Sequence, residues 1–284
     1  MNKPQLSIVT PSFNQATYLA EALESVRQQK HPSVEHLVID GGSKDGSVEI
    51  LKECTSRSGW SHLRWISERD RGQSDAVNKG FRMASGELVG WLNSDDRYRA
   101  GCFDLVTRAA ETLPGIEVLY GDYTWIDEAG ELLQVRREIE FSRFILLYHK
   151  VLYVPTTSTF FRRRIFGEGN FLDESFHYAM DFEYFVRLAL RGYRFQHVPG
   201  LFADFRWHSM SKSSLGAQKQ RDEQDRVVEQ VSPMLRNLHF RPLRRTLLAG
   251  ARQVAGVRRY CEKLMRGYYV DQFIRRPRPA ANTF

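Results

Sequence analysis

The sequence predicts an α/β fold: a mixed, mainly parallel sheet flanked by helices, followed by a helical C-terminal extension. Over the first hundred residues, short apolar runs alternate with segments whose apolar residues recur at helical spacing, a pattern typical of βαβ units. The chain has 284 residues, 42% of them apolar and 26% charged, which is enough to bury a full core. We expect one large domain over residues 1–214, divided near residue 100 into two halves, and an extension over residues 215–284.

Each half has its own pattern of elements. The first half contains four apolar runs predicted to be strands, with helical spacing after each of the first three: LSIVT (6–10), HLVID (36–40), LRWIS (63–67) and LVGWLN (88–93). If these strands are parallel, their carboxyl ends meet at one edge, which is where α/β sheets bind ligands. The second half is predicted to add a helix over 103–113, a hairpin from VLYGDYTWID to LLQVRR, and a helix over 182–190. The sheet should therefore be mixed.

Three features of the sequence bear on where in the cell the protein is expected. No apolar run reaches the roughly 18 residues needed to cross a bilayer, and the start, MNKPQLSIVTPSF, lacks the charged-then-apolar pattern of a signal peptide. We therefore expect a cytoplasmic protein. The cysteines Cys54, Cys102 and Cys261 lack the paired short spacings of zinc sites or disulfide frameworks, which predicts reduced, structural thiols.

The positive charge is concentrated at one end of the chain. The net charge is +7, but residues 215–284 carry 15 Lys and Arg against 6 Asp and Glu, whereas residues 1–214 carry 26 against 28. A nucleic-acid groove would be expected to spread cations and stacking aromatics across the main domain. We therefore expect no nucleic-acid partner.

Three loops follow the first three strands at the predicted ligand edge. They are TPSFNQ (10–15), DGGSKDGS (40–47) and ERDRGQSDAVNKG (68–80). Glycines in the second loop permit close approach of a ligand. Each loop alone is better explained as a structural turn, and the convergence of all four strand ends on one edge is what favours a functional site. None of them is the G-x-G-x-x-G loop of nicotinamide-cofactor enzymes.

The fourth strand ends in WLNSDD, which places Asp95 and Asp96 side by side. Two adjacent carboxylates repel each other unless a cation or a proton lies between them. Mg²⁺ or Mn²⁺ would suit such oxygen ligands and usually brings phosphate groups with it. A structural turn after a strand explains the same residues equally well, so the motif alone does not decide between a metal site and a turn.

Taken together, several segments resemble the inverting glycosyltransferases of family two, which have the GT-A nucleotide-sugar fold. The segments are VTPSFNQ, VIDGGSKDGS, RGQSDAVNKGF with SGELVGWLNSDD, and FLDESFHYAMDFEYFVRLALRGYRF, and they cover roughly residues 5–214. The resemblance implies a nucleotide-binding half over 1–100 and an acceptor half over 101–214. It implies metal-dependent, inverting transfer from a UDP-, GDP- or dTDP-sugar to a hydroxyl of a glycan or lipid-linked saccharide, as in bacterial polysaccharide or glycolipid synthesis.

The resemblance also implies the donor-binding residues. Pro11, Asn14 and Asp40 would surround the base and ribose, and Asp75 and Asn78 would line the donor pocket.

The same comparison assigns the residues around the metal. Asn93 stands where the family usually has the first aspartate of its D-x-D element, so Asn93 and Ser94 are expected on the donor side. Metal ligation then falls on Asp95, with Asp96 either sharing the metal or buttressing Asp95. The expected cofactor is a divalent cation, Mn²⁺ or Mg²⁺.

A later segment, FRWHSMSKS (205–213), matches a part of the family that closes over the diphosphate. It implies that His208 is a further metal ligand and that Lys212 pairs with phosphate. A packed or surface histidine is the alternative for His208.

The expected catalytic base is Asp181, which occupies the aspartate of the family's Glu-Asp pair, with Met180 in place of the glutamate. Apolar neighbours such as Phe182 and Phe185 would raise the pKa of Asp181 toward a range useful for taking a hydroxyl proton. The structural alternative is that Asp181 caps a helix beginning at Phe182.

The extension is predicted to form a basic amphipathic helix from Leu243, broken near Gly250 or Gly256. Its apolar residues recur three, four or seven apart: Leu247, Val254, Val257, Cys261, Leu264 and Tyr268. Residues 240–284 would either touch an anionic membrane peripherally or dock on the catalytic domain, and the sequence favours neither.

Two other functions remain possible from the sequence. A non-catalytic nucleotide- or glycan-binding module fits the departures at Asn93 and Met180. A nucleotidyltransferase fits less well, because TPSFNQ lacks the glycine- and lysine- or arginine-rich loop that a triphosphate needs.

Overall fold

The computed structural model describes residues 5–149, 151–208, 216–232 and 240–269. The strands are β1 (Leu6–Ser12), β2 (Val34–Asp40), β3 (Leu63–Ser67), β4 (Leu88–Trp91), β5 (Arg97–Tyr98), β6 (Val118–Ile126), β7 (Leu132–Arg136), β8 (Thr159–Arg162) and β9 (Phe195–Arg206). The helices are α1 (Ala16–Arg27), α2 (Ser47–Ser56), α3 (Gln73–Met83), α4 (Cys102–Thr112), α5 (Arg143–Tyr148), α6 (Arg164–Gly167), α7 (Met180–Leu190), α8 (Ala217–Val231) and α9 (Arg241–Met265), and a 3₁₀ turn spans Thr156–Ser158.

The first half of the sheet has the predicted parallel arrangement. Its strands lie in the order β3-β2-β1-β4, and each neighbouring pair is parallel. The strand order turns back at β1, which lies between β2 and β4. A crevice therefore opens outside the carboxyl ends of β1 and β4, the position expected for a ligand.

The second half extends the sheet with strands of both directions. Antiparallel β8 joins β4 to β6, and β7 forms the predicted hairpin with β6. The last strand, β9, runs parallel to β6 and pairs antiparallel with the short β5 that follows the WLNSDD tip. The prediction of a mixed sheet flanked by helices is confirmed, with the antiparallel pairs confined to this half.

The helices differ from the sequence prediction in two places. Helix α7 begins at Met180 after an N-cap at Ala179, so Asp181 lies inside the first turn and the prediction that it caps a helix starting at Phe182 is wrong. Helix α9 runs unbroken through Gly250 and Gly256, so the predicted break is also wrong. An isolated glycine lowers helix stability by only about 1 kcal/mol, which packing on the domain offsets.

Three further expectations meet the structure here. The cysteines are free, as predicted, with Cys102 buried and Cys261 exposed. The proposed boundary near 214 lies outside the described residues. Within the described ranges, no helix is long and apolar enough to cross a membrane.

Helix α3 packs closely on β1 because Gly80 has no side chain. Val77 and Phe81 from this helix join Val9 and Trp91 in the main hydrophobic cluster. A Cβ at position 80 would come within 2.2 Å of Val9 Cγ1, a distance that real contacts do not allow. This close packing fixes the helix that carries one wall of the crevice.

Changing Gly80 to alanine should therefore destabilise the protein. We expect Gly80→Ala to lower the free energy of unfolding by about 1–3 kcal/mol, the usual cost of overpacking. The matched control is Gly250→Ala in α9, where nothing lies within 4 Å of the added Cβ, and which should be neutral or stabilising. Denaturant unfolding of the three proteins measures this, and equal stability of both variants would contradict the packing argument.

Candidate active site

A crevice of about 700 Å³ opens at the carboxyl ends of β1 and β4. Its walls come from the first loop, the second loop, the start of α3, the WLNSDD tip, the start of α7 and the end of β9. Six of the predicted site residues line it: Pro11, Asn93, Ser94, Asp95, Asp181 and His208. The crevice therefore joins residues from both halves of the chain.

The side chains of Asp95 and His208 lie next to each other in this crevice. Asp95 Oδ2 lies 3.0 Å from His208 Nε2, and the carboxylate keeps 22% of its side-chain surface exposed. His208 is buried and its ring lies against that of Tyr18, with centroids 5.2 Å apart. The pair offers one carboxylate oxygen and one imidazole nitrogen at the same point, a combination that suits Mn²⁺ and is compatible with other divalent cations.

Asp96 points the other way, into the protein. Its Oδ2 accepts hydrogen bonds from Thr157 Oγ1 at 2.6 Å and Asn93 Nδ2 at 3.2 Å, and its Oδ1 accepts from the backbone N–H of Arg206 at 2.9 Å. Burial, followed by the charge of Asp95, raises the pKa of Asp96 to about 8, although these three donors act to lower it. Asp96 does not line the crevice. Whether it shares the metal or buttresses Asp95 stays a prediction.

Arg206, at the end of β9, holds the acidic tip in place. Its side chain is almost wholly buried, and Nε donates to the backbone carbonyl of Asp95 at 2.9 Å. The remaining guanidinium nitrogens reach the carbonyls of Asp127 and Glu128 and the carboxylate of Glu21. One residue thus fixes both aspartates, through its side chain and through its backbone.

Both the amide oxygen and the amide nitrogen of the Asn93 side chain make hydrogen bonds. Its Oδ1 accepts from Trp91 Nε1 and from Gln73 Nε2, both at 3.0 Å, while its Nδ2 donates to Asp96. An aspartate in this place would lose the bond to Asp96 and put two buried carboxylates together. The amide therefore fits the inward orientation of Asp96.

The first two loops are held together by hydrogen bonds among themselves. Asp40 is buried at the end of β2, where it accepts from Gly42 N, Ser43 and Ser67 Oγ. Asn14 is exposed in a left-handed conformation, and its side chain accepts from Lys44 N at 3.0 Å. Neither residue lines the crevice. Both shape the loops that do.

Asp75 and Asn78 also lie behind the crevice wall. Asp75 accepts from the backbone and guanidinium of Arg71; burial opposes its ionisation, but the Arg71 and Lys79 contacts hold its pKa below the usual value. Asn78 is bonded in both directions to the backbone of Leu172, with Nδ2 donating at 3.0 Å and Oδ1 accepting at 2.8 Å. These contacts clamp α3 to the loop that leads to α7.

Asp181 lies in the first turn of α7, half-buried, and its Oδ1 accepts from Phe182 N at 2.7 Å. The turn before it is held by Glu223 of α8. This carboxylate accepts from the backbone N–H groups of His177 at 3.2 Å and of Tyr178 and Ala179, both at 2.8 Å. Burial opposes ionisation of Glu223, but these three donors outweigh it and keep its pKa below the usual value.

The predicted residues fall into three groups. Besides the six that line the crevice, five lie behind it: Asn14, Asp40, Asp75, Asn78 and Asp96. Lys212 lies outside the described residues. The expected rise in the pKa of Asp181 stays a prediction.

Several residues of the site were not predicted from the sequence. They are Arg69, which lines the crevice, and Gln73, Thr157, Arg206 and Glu223, which hold the acidic tip or the turn before Asp181. Arg69 and Gln73 lie in the charged loop already noted after β3. Arg206 lies in the segment FRWHSMSKS (205–213), of which only His208 and Lys212 were expected in the site. Thr157 and Glu223 come from distant parts of the chain, and no local pattern marks them.

Residues 7–169 match the family profile described as Glycosyl transferase family 2. The chain belongs to this family. Over 191 residues it is 37% identical to an uncharacterized glycosyltransferase of Mycobacterium tuberculosis, covering 66% of this chain and 70% of the relative. The enzyme class is thus a glycosyltransferase, as expected, and the family match favours it over the nucleotidyltransferase alternative.

Two solved structures share the fold at 17% sequence identity. One is Staphylococcus aureus TarS 1-349 in complex with UDP-GlcNAc, with a TM-score of 0.61 over 80% of this chain and 71% of that one. The other is mannosyltransferase PcManGT from Pyrobaculum calidifontis in complex with GDP-Man and Mn²⁺, with a TM-score of 0.60 over 90% of this chain and 74% of that one. At this identity the likeness supports the fold alone.

Removing the charge of Glu223 should loosen the turn before Asp181. We expect Glu223→Gln to lower kcat roughly tenfold or more, since small misplacements of a reacting group are costly, while the KM for the donor stays within about twofold. The matched control is Glu229→Gln on the same helix, whose carboxylate pairs with Arg244 at the surface. Steady-state kinetics decide: an unchanged kcat for Glu223→Gln would remove this residue from the account.

Proposed function

We propose that this glycosyltransferase transfers a sugar from a nucleotide-sugar donor to a hydroxyl of a glycan or lipid-linked saccharide, with inversion and with a divalent cation. The observation that carries the proposal is the shared crevice. The Asp95–His208 pair and Asp181 all line it, although Asp95 comes from the first half of the chain and the other two residues from the second. A cation-held leaving group and a base can thus face one reacting carbon.

Asp95 and His208 would hold the cation. Their donor atoms converge, and the charge of Asp96 is turned away from them, so the pair fits Mn²⁺ or Mg²⁺. No group of three or more possible side-chain ligands occurs in the described part of the chain. This suits an ion that takes most of its ligands from substrate phosphates and water. When bound, the cation supplies stabilisation of the negative charge on the departing diphosphate.

The first two loops and α3 would bind the nucleotide. Gly41 lines the crevice, and a Cβ there would meet Asp70 Oδ2 at 2.6 Å, so the loop approaches its neighbour closely. Arg69 adds a cation to the same wall, which suits phosphate oxygens. We propose that Pro11 contacts the base or ribose directly and that Asn14 and Asp40 act by holding their loops. The nucleotide-sugar complexes of TarS and PcManGT support this class of donor.

Asp181 would act as the base. It takes the proton from the acceptor hydroxyl as that oxygen bonds to the anomeric carbon, while the bond from this carbon to the diphosphate oxygen breaks on the opposite face. A single displacement of this kind inverts the configuration. The position of Asp181 in the first turn of α7 allows its carboxylate to face the crevice while the apolar side of the helix is buried.

Removing the Asp95 carboxylate should abolish the effect of the cation on nucleotide binding. In the unmodified protein we expect Mn²⁺ to tighten binding of UDP or GDP by about tenfold or more, since Asp95 and His208 would hold the ion and its charge would offset that of the diphosphate. In Asp95→Ala this gain should disappear, whereas Asp104→Ala, an exposed aspartate on α4, should keep it. Calorimetric titration with and without Mn²⁺ measures the effect. If Asp95→Ala retained the gain, Asp95 would not be a metal ligand.

Removing the base should stop transfer without affecting donor binding. We expect Asp181→Asn to lower the rate of sugar transfer by a factor on the order of 10²–10⁴, the usual contribution of a general base. Donor affinity should stay within about twofold of the unmodified protein. The control is Glu183→Gln on the same helix, whose carboxylate pairs with Arg187.

Transfer of radiolabelled sugar to acceptor and to water measures both rates. Full activity of Asp181→Asn would refute its role. Absence of any transfer by the unmodified protein, with donor binding intact, would instead favour the non-catalytic binding module.

A further inference from the structure

Helix α9 is docked on the catalytic domain by a face that includes two cations. Leu248, Ala251 and Ala255 are buried along this face. Toward its C-terminal end, Arg259 and Lys263 pair with the fully buried carboxylate of Glu138 at 2.7 and 3.1 Å. Two cations around one buried carboxylate give the helix a defined rotation about its own axis. One side must therefore face inward and the opposite side outward.

The outward side carries most of the apolar residues of the helix. The exposed stripe consists of Leu243, Leu247, Val254, Val257, Cys261 and Leu264, with side chains 37–61% exposed where a value is given. They are spaced three, four or seven residues apart, so they form one line along about six turns of helix. Met265 at the end of the helix is 81% exposed. Such a continuous line of apolar side chains in water is unfavourable unless another surface covers it.

The charges on α9 indicate the chemistry of the surface that would cover the exposed stripe. The only acidic residue of the helix is Glu262, and its carboxylate turns toward the domain, where it accepts from Glu140 N at 3.1 Å. Within the described residues, Arg245 and Arg258 make no ion pair. Arg258 borders the exposed stripe, because it is one residue from Val257 and three from Cys261. The side of α9 that faces away from the domain is therefore apolar with a cation at its edge, and no carboxylate of the helix lies on it.

We propose that the exposed stripe lies on an anionic phospholipid surface. Its apolar side chains would enter the interface, and Arg258 at its edge would meet a lipid phosphate. A second copy of the chain is a poorer partner, because two such faces bring like charges together and offer no acid to pair with them. Docking on the domain and membrane contact are thus compatible, since they use opposite sides of one helix.

The same helix is linked to the crevice through α8. Arg252 and Arg244 pair with Asp225 and Glu229 of α8, while Gln220 of α8 lines the crevice. Gln220 and Asp225 are five residues apart, about 7.5 Å along α8, so the membrane-facing helix lies close to the crevice. This arrangement favours a lipid-linked saccharide over a free glycan as the acceptor, an inference that rests on the proposed transferase function.

The test uses the full-length protein and sedimentation with vesicles, without any catalytic readout. We expect binding to vesicles of phosphatidylglycerol and phosphatidylcholine but not to phosphatidylcholine alone. The double variant Val254→Gln/Val257→Gln should lower the partition coefficient about tenfold, because it removes apolar groups without changing the charge. The control Ala249→Gln lies on the same helix, exposed and off the stripe, and should bind normally.

A further variant tests the charge at the edge of the stripe. Arg258→Gln should weaken binding about fivefold at low salt, since each cation near an anionic surface contributes about that factor. The control Lys52→Gln/Arg108→Gln removes two exposed cations from α2 and α4 and should have at most a small effect.

Two results would overturn the proposal. One is failure of the unmodified protein to bind anionic vesicles. The other is concentration-dependent dimerisation that Val254→Gln/Val257→Gln abolishes, which would assign the exposed stripe to a second copy. Because donor binding by calorimetry is independent of vesicles, loss of membrane binding and loss of the proposed transferase function can be told apart.

Discussion

The site depends on how two neighbouring carboxylates share the end of β4. Asp96 turns inward and receives three hydrogen bonds, and this leaves Asp95 alone at the crevice beside His208. Arg206 makes the arrangement rigid, because its backbone N–H binds Asp96 and its buried guanidinium binds the carbonyl of Asp95. Without this division, two charges would compete for one small space. With it, one carboxylate is structural and the other is available to a ligand.

This division also gives Asn93 a physical role. The resemblance implies an aspartate at this position, and an asparagine there brings no charge to a metal site. In this structure the amide nitrogen donates to Asp96 and the amide oxygen accepts from Trp91 and Gln73. A carboxylate could not make the first of these bonds. The substitution therefore belongs with the buried position of Asp96 and leaves the Asp95–His208 pair intact.

Much of the fold could be predicted from local patterns. The bounds of β3 match the sequence prediction, and the acidic tip follows β4 as expected, because alternation and turn residues are local signals. Arg206 could not be found this way. It reaches the tip only because β9 returns beside β5, some 110 positions along the chain. The start of α7 at Met180 also depends on a distant residue, because the carboxylate of Glu223 in α8 accepts hydrogen bonds from the preceding turn. The apolar residues predicted to line one side of α9 do form such a line, but that side is exposed. The opposite side packs on the domain, because Arg259 and Lys263 pair there with Glu138.

The central claim is that Asp95 and His208 hold a divalent cation together with a nucleoside diphosphate. Pulsed electron paramagnetic resonance of bound Mn²⁺ tests it most directly, because a coordinated imidazole nitrogen couples to the metal spin. With UDP or GDP present, the account predicts nitrogen coupling in the unmodified protein and its loss in His208→Gln. Mn²⁺ bound without that coupling, or coupling that persists in His208→Gln, would contradict it.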